Sequence, residues 1–166
     1  QRWFKLLYFT PALFPIYFRA AAAESLSYPA PLRRRIRAER AAATAFHLAV
    51  ATTIAILGGI GPLLRVYVVP VFFVFPVAFV INRLGQHYDV DPSDPAKWST
   101  LMRPSWFWDR AYLYSNYHLE HHYFPRVPLY NLGKLHLLLR PFYEENGFTT
   151  RTYGRLLWNY LVLNRK

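Results

Sequence analysis

The sequence predicts an all-α integral membrane protein: a transmembrane helical hairpin followed by a cytoplasmic helical region bearing histidines, the whole being a fragment of a larger helical membrane domain. Three observations support this. Residues 41–60 and 63–82 are apolar blocks of the roughly 20-residue length that crosses a bilayer. Arg33, Arg34, Arg35, Arg37 and Arg40 end where the first block begins. His118, His121 and His122 share one short polar segment after the second block.

Taken in order, residues 1–40 read as an interfacial segment and a basic connector. The run WFKLLYFTPALFPIYF is broken by Pro11 and Pro15, so its apolar stretch is too short to span. Residues 41–82 form the hairpin. Within the first block the ionisable side chain is His47, for which a hydrogen-bonded structural role is expected near the interface. The run Gly58-Gly59-Ile60-Gly61-Pro62 supplies the backbone freedom and helix break of a tight reversal. In the second block, Arg65 snorkels near the outer end and Pro70 and Pro76 are expected to kink the helix. Residues 83–166 are then cytoplasmic, because the arginine excess precedes the first span and flanking arginines mark the cytoplasmic side. Their metal-binding and interfacial helices are expected at 111–124, ending at Pro125, and at 128–140 and 151–164.

Composition narrows the class. Hydrophobic residues reach 54%, aromatics 19% and charged residues only 17%, which favours membrane segments with a wet face over an ordinary soluble domain. The net charge of +11 is read as attraction to anionic headgroups, with no nucleic acid as partner. The absence of cysteine excludes disulfides, zinc–thiolate sites and iron–sulfur clusters. The first residue, Gln1, is not Met, and an upstream part of a longer protein is expected.

The histidine pattern carries the chemistry. On a helix, His118, His121 and His122 sit at i, i+3 and i+4, which puts their side chains on one face. Neutral imidazoles there form a nitrogen donor set for a transition metal. The spacing is not that of the HExxH zinc helix. His87, just past the second block, can reach the same ion. Asn82, Gln86, Asn116 and Glu120 are candidates for outer contacts, Glu120 as an acceptor for a histidine from a neighbouring element. His136 is expected to face headgroups or cap a helix, outside the site. Lys97 and Arg103, in a tryptophan-rich stretch, are candidate headgroup contacts.

The stretch NYHLEHHYFPRVPLYNLGKLH closely resembles the third histidine box, HxxHH, of the membrane fatty acid desaturase superfamily. RLGQH resembles the additional histidine element that these enzymes carry after their last span. The resemblance is most specific over residues 116–136. It implies a di-iron centre with His87, His118, His121 and His122 as iron ligands, dioxygen as co-substrate, a membrane lipid or acyl substrate, and an electron donor such as cytochrome b5 or ferredoxin. The first two boxes of the family are absent from this sequence, so the remaining ligands are expected upstream, and the chain alone is expected to be inactive with weak or no iron binding.

Desaturation of fatty acyl chains is therefore the expected function. Hydroxylation or ketolation of a lipid, alkane or carotenoid is the nearest alternative, since both begin with removal of hydrogen from an unactivated C–H bond. A non-catalytic membrane protein whose histidines bind metal is the alternative from another class.

Overall fold

Proline and glycine positions set where the helices break. A computed structural model describes residues 2–88, 90 and 93–165. The described residues are helical apart from turns and one isolated parallel bridge between Met102 and Arg151. The chain divides into two compact units, Trp3–Val77 and Ala78–Lys166.

In the first unit, helix Arg2–Leu7 ends at a turn in which the Thr10 hydroxyl donates to the Leu7 carbonyl at 2.7 Å. Helix Leu13–Ser25 follows. Its Pro15 lies in the first turn, where the missing N–H has no intrahelical partner to lose. A single helix then runs from Ala30 to Gly58. The arginines therefore ride on the helix itself, whereas a separate connector up to residue 40 was expected. The reason is local: between Leu32 and Leu57 the sequence has neither glycine nor proline, and alanine, arginine and leucine are strong helix formers. Its 29 residues measure about 44 Å, longer than the ~30 Å hydrocarbon core.

The break between the two long helices is confined to Gly59, whose φ of 77° and ψ of −174° suit only glycine. Helix Ile60–His87 begins at the next residue. Pro70 and Pro76 leave it unbroken, because π-helical turns at Leu64–Val68 and Pro70–Val74 absorb the mismatch that a missing N–H creates. Helices Ala30–Gly58 and Ile60–His87 are both long and apolar enough to cross a membrane. The first buries none of its residues against protein, and Ile56, Leu57 and Phe73 are largely exposed. His47 has the hydrogen bond expected of it: its Nδ1 lies 2.7 Å from the Tyr67 hydroxyl.

The second unit holds most of the buried residues, Leu13 and Pro76 of the first unit apart. Val80, Leu84 and Tyr88 are buried along one face of the helix end. Gly85 lies against the Tyr153 ring so closely that a Cβ there would come within 2.6 Å of it. Leu101, Leu119 and Tyr143 form a buried cluster, with Tyr123, Leu139 and Phe148 packed against it.

The helix expected at 111–124 is two helices, Trp106–Ala111 and His118–Tyr123. Between them Leu113 and Tyr114 take positive φ values of 50° and 64°. The Leu113 N–H donates to the Arg110 carbonyl and the Tyr114 N–H to the Asp109 carbonyl, the paired bonds of a left-handed helix stop. Beyond the second of these helices, Leu132–Glu145 continues through Pro141, and Tyr153–Leu157 runs into a π-helical turn at Trp158–Val162.

Candidate metal centre

His118 and His122 sit one turn apart on helix His118–Tyr123, and His87 is the last residue of helix Ile60–His87. Their donor nitrogens all lie within 4.8 Å of one another. The closest approach is Nε2 of His118 to Nε2 of His87, at 3.0 Å. The ring centroids are 4.7 Å apart for His87 and His118, and 4.6 Å for His118 and His122.

These distances can be tested against a metal. Imidazole nitrogens bind a divalent ion at about 2.1 Å, so two of them at a right angle lie about 3.0 Å apart and a trans pair about 4.2 Å. The His87–His118 separation already has the first value. The others are at most 4.8 Å, within about 0.6 Å of the trans value. The residues fit one ion.

Hydrogen bonding selects the nitrogen that faces it. His87 Nδ1 lies 3.3 Å from the Trp98 carbonyl, and a carbonyl only accepts, so Nδ1 carries the proton and Nε2 keeps its lone pair. Burial, then the neighbouring His87, His122 and His121 and finally Arg83, holds the His118 pKa down at about 4. At neutral pH this ring is uncharged, the form that ligates metal.

His121 lies outside that group of three. Its ring stands 5.8 Å from His118 and 6.3 Å from His122 between centroids, and its Nδ1 is buried without a hydrogen-bond partner. An orphaned buried nitrogen beside a donor cluster suits a second ion.

Glu120 points away from the cluster and is 1% exposed. Its Oε1 accepts from Nδ1 of His136 at 2.6 Å and from the Tyr143 hydroxyl at 2.9 Å. It thus receives a histidine from a neighbouring helix, one that is not among the three converging donors. His136 itself corrects the expectation of a headgroup or capping role: it is 6% exposed and sits on the buried stripe Leu132, His136, Tyr143. The sequence held a signal for this, since a polar residue on an otherwise apolar helical face requires a partner. Burial and the Glu120 carboxylate both push the Tyr143 pKa far up.

Asn82, Gln86 and Asn116 bond to partners other than the three donors. Asn82 exchanges hydrogen bonds with the Ser115 hydroxyl, and Gln86 accepts from Arg83 at 3.3 Å. Asn116 donates to Asp109 at 2.8 Å. Asp109, which carries no motif in the sequence, also accepts from the Tyr117 hydroxyl at 2.9 Å. It thereby ties the two residues preceding His118 to helix Trp106–Ala111. Lys97 pairs with Asp94 at 3.0 Å. Arg103 is exposed and lines a cavity of about 340 Å³ with Trp108 and Tyr153.

A family model described as "Fatty acid desaturase" matches residues 1–154. No curated protein and no solved structure matches the chain.

Proposed function

The chain belongs to the fatty acid desaturase family, and on that premise we propose that it supplies the last histidine box of a dioxygen-dependent enzyme that desaturates fatty acyl chains at a di-iron centre. The observation that carries this reading is the convergence of His87, His118 and His122, with the 3.0 Å approach of two Nε2 atoms. These three would hold one iron, and His121, with its orphaned Nδ1, would face the other. Two irons take more donors than four histidines supply, so the remaining ligands come from residues outside this sequence.

Bound iron supplies the one-electron and dioxygen chemistry that side chains lack. The chain's own residues set geometry. The Trp98 carbonyl fixes the His87 tautomer. The Glu120–His136–Tyr143 contacts fix the turn that carries the box, as outer partners of metal ligands do elsewhere. Asn82, Gln86 and Asn116 support the loop and helix ends around it. An acyl substrate comes from the membrane, with Lys97 and Arg103 toward its headgroup, and electrons come from a donor such as cytochrome b5 or ferredoxin. Arg33–Arg40 and Arg83 lie at the cytoplasmic side, by the excess of positive charge there, and Gly59 lies at the opposite face.

Two experiments test this. In cells expressing the full-length protein, with the remaining ligands present, acyl chains of membrane lipids should gain a double bond without added oxygen; a hydroxylated product sinks the desaturase reading. With the purified chain in detergent, anaerobic ferrous titration followed by metal analysis should show weak binding of at most one ion. His87→Ala, His118→Ala and His122→Ala should each abolish it. Tight binding of two irons by residues 1–166 would overturn the assignment of ligands.

A further inference from the structure

The first unit contains a cavity of about 590 Å³, within the 300–1,000 Å³ typical of ligand pockets. None of its lining residues belongs to the histidine cluster. One wall is a face of helix Ala30–Gly58, where Ala43, Thr44 and Ala51 leave room by being small. The facing wall comes from Leu63 to Phe72 of the second long helix, and Phe14 and Phe18 of helix Leu13–Ser25 form the third. The Phe14 and Phe72 rings touch at 5.4 Å between centroids.

The polar groups of this lining are satisfied internally, with one exception. Thr44 donates to the Arg40 carbonyl at 2.9 Å. His47 and Tyr67 bond each other at 2.7 Å. Arg40 stands at one end of the wall, and its guanidinium has a single long bond, 3.4 Å, to the Ala21 carbonyl. Among the described residues it has no carboxylate partner. A half-buried cation beside an apolar cavity calls for an anion.

The length is informative as well. From Arg40 to Ala51 the helix rises about 16 Å, close to half of the ~30 Å hydrocarbon core. That is the depth of one leaflet, the reach of one acyl chain whose head stays at the interface.

We propose that this cavity is a lipid site that holds a single acyl chain, with the anionic head of the lipid on Arg40. The site rests on the first unit alone, and its test needs neither iron nor desaturase activity. The head is a carboxylate or a phosphate, as a free fatty acid or a phospholipid would present.

The test uses the full chain in lipid nanodiscs and palmitic acid carrying a mid-chain diazirine, followed by irradiation and peptide mapping. Label should concentrate on peptides spanning Ala43–Ala51 and Leu63–Phe72, and excess palmitate should remove it. Arg40→Gln should lower that labelling about tenfold, the scale of one charge-assisted hydrogen bond, and leave labelling by the corresponding fatty alcohol unchanged. Ala51→Phe, with helicity checked by circular dichroism, should remove labelling by both probes. A diazirine phosphatidylglycerol that labels the same peptides more strongly than the palmitate probe would identify a phospholipid as the occupant; weaker labelling would identify a free fatty acid. Label spread evenly over every membrane-facing peptide, indifferent to both substitutions, would overturn the proposal. So would failure of any lipid probe to reach these peptides, which is the result if a polypeptide segment fills the cavity.

Discussion

The two units treat apolar side chains in opposite ways. Helix Ala30–Gly58 buries none of its residues and leaves Leu57 82% exposed. In the second unit Leu119, Leu132 and Leu156 are 0% exposed. Polar groups follow the same division. In the first unit a pair 20 residues apart, His47 with Tyr67, satisfies an ionisable group of a candidate span. In the second, a buried carboxylate joins the helix of the histidine cluster to a neighbouring helix. The long helices of the first unit are apolar enough to cross a membrane and find little cover within the protein. The second unit packs on itself, and the turn bearing His118 and His122 is anchored by that packing.

The sharpest way to break this contrast is to remove the carboxylate. Glu120→Ala orphans two buried donors, His136 Nδ1 and the Tyr143 hydroxyl, at about 1–3 kcal/mol each. Chemical denaturation should show a loss of that combined size. Glu120→Gln keeps an acceptor oxygen and should lose less. Equal losses from the two variants would mean that the bonds to Glu120 do not hold the box.

Leucine truncation compares the units directly. Leu119→Ala removes a fully buried side chain and should cost about 2–5 kcal/mol. Leu57→Ala should change stability by less than about 0.5 kcal/mol, because protein does not cover it. A large effect at residue 57 would mean that its exposed face packs on a partner.

What was legible in the sequence follows the same line. The spans and the histidine spacing are local patterns, repeated at helical periods, and could be read directly. The continuous helix through the arginines was also locally encoded, yet charge suggested a connector there. The break at Leu113 and Tyr114 was not legible, since left-handed backbone at leucine and tyrosine has no composition signature such as glycine provides. Neither was the placement of His121 away from its neighbours. Its separation depends on how a six-residue helix is rotated against residue 87, which tertiary packing decides. The Glu120–His136 contact links positions 16 apart, beyond the reach of any helical period.

Gly85 tests how tightly the second unit holds the helix end that carries His87. An added Cβ would lie 2.6 Å from the Tyr153 hydroxyl, so Gly85→Ala must displace that ring or the helix. Overpacking of this kind costs about 1–3 kcal/mol. The same substitution at Gly154, where a Cβ meets nothing within 4 Å, should lack that penalty. Metal binding should weaken in the first variant alone; equal behaviour would mean that the helix end is free to move.

The smallest effect concerns acid. His118 has a folded pKa near 4, lowered mainly by burial, against about 6.5 in an unfolded chain. Above the unfolded value both states are neutral and pH has no influence through this residue. As pH falls from 6.5 toward 4, the unfolded state takes up a proton that the folded state resists, and stability declines through that window. Below it the penalty is constant. Metal-free chain should therefore lose stability between pH 7.5 and 5, and His118→Gln should lose less over the same range. The His118 ring signal in an NMR titration should hold its neutral position at pH 5.5, where an ordinary histidine is mostly protonated. A midpoint near 6.5 would mean that the ring is solvated, and the distinction between a packed cluster and an open surface turn would fail at the residue where it matters most.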